Sequence, residues 1–335
     1  MPKKVGNQTI LFQNDVCISS YASVVGKKEG EGPLANGFDK VYNDELIGED
    51  SFEKAESRLQ TTAVETAIQK SGMTENQIDY IFAGDLLNQC IGSAYGLKDF
   101  AIPFIGLYGA CSTMALSLAL ASLFIECGAA KHTMAVTSSH FCSAERQFRF
   151  PLEYGGQRTP TAQWTVTGSG AALLSSGKNG PRINAITFGK INDLGVKDIS
   201  NMGAAMSPAA AETIKAFLDD TKTSPKDYDL ILTGDLGRVG TDLLYELLLK
   251  DNIAITQNHN DCGLMIFDIE GQDVHAGGSG CGCSASVLCS KILNEFKNGK
   301  YKNILFCATG ALMSPTSTLQ GQAIPSIAHL VNIIK

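Results

Sequence analysis

Basic residues are scarce in this chain: 27 lysines and arginines stand against 34 acidic residues, giving a net charge of -7 over 335 residues. No basic stripe is available to neutralise a phosphate backbone, which excludes nucleic acid as a partner. Long apolar runs are missing too. The longest, Ala115 to Ile125, carries two serines and stops at Glu126, well short of the ~20 residues of a membrane span. The opening Met1-Pro2-Lys3-Lys4-Val5-Gly6-Asn7-Gln8 has two lysines with no apolar segment behind them, so neither a signal peptide nor a transmembrane helix is expected. Ten cysteines are present, but no pair has the CxxC spacing of a zinc knuckle or redox motif. Most read as small buried hydrophobes in a reducing compartment.

What the chain has instead is apolar material and glycine. Hydrophobic residues make up 44% and charged ones 18%, enough for a large interior, and the length suits two fused halves better than one simple core. Thirty-four glycines imply many tight turns and close backbone approaches. A repeat marks the halves. Asp79-Tyr80-Ile81-Phe82-Ala83-Gly84-Asp85-Leu86 returns, at an offset of 150, as Asp229-Leu230-Ile231-Leu232-Thr233-Gly234-Asp235-Leu236, with five of eight positions identical. Each copy reads as a short buried strand ending in a Gly-Asp turn. Each follows an amphipathic stretch, Ala63 to Ser71 or Ala211 to Asp220, and a polar start signal. Thr74-Glu75-Asn76-Gln77 fits a capping box, and Ser224-Pro225-Lys226-Asp227 places Pro at N1.

The next unit repeats as well. Gly109-Ala110-Cys111-Ser112 opens a helix to about Cys127, followed by a strand from Thr133 to Thr137. In the second half Gly277-Gly278-Ser279-Gly280-Cys281-Gly282 opens a helix to about Asn298, followed by a strand from Asn303 to Ala308. The turn-rich Ser176-Gly177-Lys178-Asn179-Gly180-Pro181 is the expected boundary, dividing the chain into 1–180 and 181–335. The helix after Cys111 has no polar face, which predicts a place in the middle of the protein.

Several residues carry chemistry. A thiol at a helix N-terminus, as Cys111 would be, gains thiolate character from the free N–H groups there; a small residue in a crowded core has the same spacing. The glycine-rich turn 277–282 offers N–H groups for an anion or oxyanion, or simply room for tight helix packing. His140 ends a strand, where crevices form in α/β sheets, with Arg146 and Arg149 behind it as partners for carboxylates. A satisfied histidine and solvated arginines fit equally well. His259-Asn260-Asp261-Cys262 reads as a turn before it reads as a metal site, and no metal site is assigned.

Duplication, a central apolar helix and a cysteine at its start resemble the thiolase superfamily, nearest in layout to ketoacyl synthase III. The resemblance implies an α/β, internally duplicated, five-layered αβαβα fold. Ala83 to Gln89, Gly109 to Thr113, Ala144 to Arg149, Pro151 to Gly156, His259 to Gly263 and Gly277 to Cys283 resemble more closely the stage V sporulation protein AD family of spore-forming bacteria. That likeness implies binding of dipicolinic acid, or its calcium complex, for uptake into the developing spore. The chain would be the soluble component of a membrane channel assembly, peripheral on the cytoplasmic face of the inner spore membrane. It further implies membrane subunits as partners and a homodimer, with no cofactor beyond calcium arriving in the ligand.

The departures matter. Condensing enzymes place a histidine after the strand that here ends in Asp235, and an asparagine in the turn that here holds Gly278-Ser279-Gly280. Only the cysteine persists, which argues against decarboxylative condensation. The expected ligand-binding set is Cys111, His140, Arg146, Asp235, Gly278, Ser279 and Gly280. The rival reading is a divergent acyltransferase or thioesterase with Cys111 as nucleophile on an acyl-CoA or acyl-carrier protein.

Overall fold

A computed structural model describes residues 2–148 and 158–335. Arg149 and the string Pro151 to Gly156 lie outside the described residues. Ten strands of one continuous 13-stranded sheet fall into two five-stranded runs of matching topology, hereafter the two sheets. The first contains β1 (Val16–Val25), β2 (Tyr80–Gly84), β3 (Phe104–Gly106), β4 (His132–Ser139) and β5 (Gly168–Ser176) in the order β3-β2-β4-β5-β1. The second contains β6 (Arg182–Phe188), β7 (Leu230–Thr233), β8 (His259–Asp261), β9 (Asn303–Ala311) and β10 (Ser326–Ile334) in the order β8-β7-β9-β10-β6. In each, the three strands nearest one edge run parallel and the rest antiparallel. Arg182 pairs with Cys17 where the two runs meet, and the N-terminal hairpin Lys3–Val5/Thr9–Leu11, from the first half of the chain, pairs with β6 of the second.

The repeat is exact enough to reuse the same side-chain device. Asp79, just before β2, accepts the N–H groups of Lys131 at 2.6 Å and His132 at 3.0 Å at the start of β4. Asp229, just before β7, accepts those of Lys302 at 2.6 Å and Asn303 at 3.0 Å at the start of β9. A carboxylate that ties two parallel strands together fixes their register at the entry point.

Helices supply the remaining layers. α1 (Phe52–Ser71) and α2 (Ile91–Leu97) cover the outer face of the first sheet, and α5 (Met202–Thr221) and α6 (Gly237–Leu249) that of the second. α3 (Thr113–Glu126) and α7 (Cys281–Val287) lie between the sheets; α7 runs on through a π-turn, Leu288–Ile292, to Leu293–Lys297. A short helix, α4 (Phe141–Phe148), follows β4. The central core packs Met114, Leu118 and Ile125 of α3 against Phe82 and Leu174 on one side and Leu232, Phe306 and Val331 on the other. A helix without a polar face is thereby buried on both sides, as its sequence requires.

Two sequence expectations shift. The outer helices start earlier than the amphipathic stretches indicate, at Phe52 and Met202, because Ser51 and Asn201 cap them by accepting the N–H groups of Lys54 and Ala204. The signals at Thr74 and Ser224 form true capping boxes, yet each opens only a single 3-10 turn before a strand. Gly282 needs its missing side chain: a Cβ there would lie 2.4 Å from the Gly168 carbonyl oxygen and 2.7 Å from the Ser139 nitrogen. Tight packing of α7 onto β4 and β5 accounts for that glycine.

Candidate ligand-binding site

Cys111 sits where the chain turns from β3 toward α3. The turn is made by Ala110 at φ +49, a left-handed conformation uncommon outside glycine, and is held by Ser112 and Thr113 hydroxyls donating to the Gly109 and Ala110 carbonyls. The thiol faces a cavity on the seam between the halves. Leu86, Ala110, Ala144 and Glu145 line it from the first half, with Thr165 beside them, and Met202, Ser279, Ala311 and Met313 from the second. Its volume is about 20 Å³ and Cys111 is 5% exposed. That is room for a water molecule, since one occupies roughly 10–15 Å³ on this scale, whereas small-molecule pockets run to ~300 Å³ or more.

Asp235 is the polar centre of the site. It is fully buried and accepts the Gly280 N–H at 2.8 Å, the Ser279 hydroxyl at 3.1 Å and the Thr309 hydroxyl at 3.0 Å. Burial pushes its carboxyl up to about 6 against these hydrogen bonds, and the Cys111 thiol is a further donor to it. The thiol in turn is raised well above its ordinary range, first by burial, then by the Asp235 charge and by that hydrogen bond. Thiolate is the nucleophilic form. Cys111 is therefore held as a neutral donor.

The anion expected at the glycine-rich turn is the protein's own. The Gly280 N–H is already committed to Asp235, and the short strand Gly278–Ser279 pairs with Trp164–Thr165 while the Gly278 carbonyl accepts from Gln163. Free N–H groups for an incoming carboxylate are not what this turn presents.

His140 and Arg146 do not reach the cavity. The imidazole Nε2 lies 2.8 Å from the Glu45 carbonyl, Nδ1 accepts the Cys142 N–H, and the ring packs on Phe52 with centroids 5.4 Å apart. Burial keeps its pKa below the ordinary value. Arg146 points to solvent from α4, 3.1 Å from Glu53 and over the Phe52 ring. Of the seven expected residues, the structure gathers Cys111, Asp235, Gly278, Ser279 and Gly280, and leaves His140 buried against Phe52 and the Glu45 carbonyl and Arg146 exposed on α4. His259 belongs to a structural chain: Tyr245 and Thr233 hydroxyls flank its ring nitrogens at 2.9 and 3.0 Å. Asp261 accepts the Leu236 and Gly237 N–H groups and so holds the turn that carries Asp235.

Cys281 was not among the expected residues. It stands 170 positions after Cys111, opens α7 as Cys111 precedes α3, and packs with Cys111, Leu86 and Ala144 in one buried cluster. Its thiol donates to the Ser138 carbonyl at 3.0 Å, and burial raises it too. The available signal was its place at the start of the second half's central helix, since the 150-residue offset of the strand repeat does not reach it. Met202, the first residue of α5, and Met313, just past the end of β9, left no pattern.

Solved structures share this architecture. Cerulenin-bound OleA of Xanthomonas campestris superposes with a TM-score of 0.63 at 14% identity, over 97% of this chain and 98% of that one. The 3-oxoacyl-[acyl-carrier-protein] synthase III of Aquifex aeolicus VF5 does so with 0.55 at 14% identity, over 96% and 100%. Fold and site together define a thiolase-like protein; identity this low speaks for the fold alone. The sequence profile of stage V sporulation protein AD (SpoVAD) matches residues 6–334. Stage V sporulation protein AD of Bacillus subtilis (strain 168) is 45% identical over 327 residues, 98% of this chain and 96% of that protein. The chain belongs to the SpoVAD family, and its role is in sporulation. Among the described residues no helix is long and apolar enough to cross a membrane.

Proposed function

We propose that the chain binds dipicolinic acid for uptake into the developing spore, as the peripheral, non-spanning component of a membrane channel assembly on the cytoplasmic face of the inner spore membrane. The observation that carries binding over catalysis is the Cys111–Asp235 pair: a neutral thiol donating to a buried carboxyl, where a condensing enzyme needs a nucleophile and its bases. The SpoVAD family supports the sporulation setting of the ligand.

The site's charge favours one form of it. Glu145 lines the cavity and Asp235 lies against the lining residues Cys111 and Ser279; among the described residues no lysine, arginine or histidine lines it. A free dianion would meet carboxylates of its own sign, whereas calcium dipicolinate is neutral and arrives with its metal already ligated. Entry requires the cavity to enlarge, and the unbranched Met202 and Met313 side chains are the walls that yield most readily. A second copy of the chain is the other partner in this reading. β3 is the open edge of the first sheet, with Phe104 and Tyr108 42% and 45% exposed beside it, and a pairing copy would cover them.

Calorimetry with dipicolinate at pH 7.5, with and without calcium, tests the proposal. The calcium complex should bind at least tenfold more tightly, Ser279→Ala and Cys111→Ala should weaken it, and Arg146→Ala should leave it unchanged. Absence of binding by either form sinks the reading. Stoichiometric acylation of Cys111 by a short acyl-CoA, read by intact mass, would install the acyltransferase in its place.

A further inference from the structure

Some distance from Cys111, a half-open cavity of about 540 Å³ lies where the start of β1, the linker between the halves and the end of the α7 rod meet. The rod from Cys281 to Lys297 spans roughly 25 Å at 1.5 Å per residue, so this cavity and the cysteine site occupy opposite ends of it. Its charged lining is of one sign: Lys70, Lys178, Lys297 and Lys335, with no acidic residue. In a chain of net charge -7 that is not the surface average. A neighbouring cavity of about 580 Å³ shows the contrast, lined by Glu49, Glu65 and Asp99 together with Lys54 and Arg58.

Two of the four lysines have partners outside the lining. Lys70 meets Asp39 at 2.9 Å and Lys178 meets Asp15 at 3.4 Å. Lys297 and Lys335 make no side-chain ion pair among the described residues. The floor is apolar and aromatic, with Tyr21 and Phe296 among its residues. A recess with an apolar floor and an ammonium rim suits a small molecule with a flat body and two negative charges; a bilayer needs a flat or convex basic face.

We propose that this cavity is a second ligand site, for a small organic anion carrying carboxylate or phosphate groups on an aromatic body. The site is independent of the dipicolinate reading, since it shares no residue with the Cys111 cavity.

Calorimetry of the full chain with isophthalate and with phenyl phosphate distinguishes the two anion chemistries. At least one should bind with one-to-one stoichiometry, and Lys297→Glu/Lys335→Glu should weaken it tenfold or more at unchanged melting temperature. Lys297→Arg/Lys335→Arg should restore it, and Cys111→Ala should have no effect. No binding of either probe at millimolar concentration overturns the proposal. So does binding that survives the double charge reversal, or that Cys111→Ala abolishes.

Discussion

The two halves share their strand order and a strand-entry device and part company at one turn. Asp79 and Asp229 make the same pair of hydrogen bonds at the same distances. Six residues later the copies diverge. Asp85 serves its own half, accepting the Leu87 N–H at 2.8 Å and the Ser93 N–H and hydroxyl at 2.7 and 2.6 Å. Asp235 leaves that task to Asp261 and turns toward Ser279, Gly280 and Cys111. Duplication kept the residue and released it from its local duty, which freed a buried carboxyl to face the seam.

The largest effect expected from this divergence is in the pH dependence of stability. Asp235 rises from an ordinary 3.8 to about 6 on folding, chiefly through burial. A raised carboxyl contributes stability that is complete below about pH 4 and lost as pH climbs through about 6; two units correspond to about 3 kcal/mol. Asp235→Asn should flatten the denaturant-derived stability curve between pH 4 and 7 by that amount. An unchanged slope would mean the carboxyl is not buried as described. Next comes exchange of repeat-equivalent residues at the helix starts. Gly282→Ser, which installs the residue its counterpart Ser112 carries, should cost about 2 kcal/mol because the new Cβ meets the Gly168 and Ser139 backbone. A neutral result in urea melts would show that α7 has slack.

Asp79→Ala and Asp229→Ala should then cost about 1 kcal/mol each, equal within error, since each frees the same two strand-entry N–H groups. Unequal costs would break the symmetry argued here. Smallest are the capping boxes, where Thr74→Ala and Ser224→Ala should each cost about 0.5 kcal/mol. Separately, Phe104→Asp should yield a monomer by light scattering if the β3 edge pairs with a second copy.

Much of this was legible in the chain. The eight-residue repeat located β2 and β7, the all-apolar stretch after Cys111 predicted the central layer, and Asp235 stood out as the residue replacing a histidine. What was not legible depended on partners far away in sequence. The glycine-rich turn was read as offering N–H groups, but their acceptor lies 45 residues upstream in another element. His140 does end a strand, yet its ring is claimed by a carbonyl 95 residues earlier. The volume beside Cys111 was beyond pattern reading altogether, because Met202 at the start of α5 and Met313 past the end of β9 help to wall it.

The junction between the halves has a consequence for how the molecule comes apart. Besides the Arg182–Cys17 pair, Thr9–Leu11 pairs with β6 and Trp164–Thr165 with Gly278–Ser279, so hydrogen bonds cross between the halves at three places, and the shared apolar filling around Met114 and Leu118 couples them further. Unravelling either sheet would strip one flank of a helix that has no wettable side. Calorimetric melting should therefore show one peak rather than two, despite the twofold ancestry written into the chain.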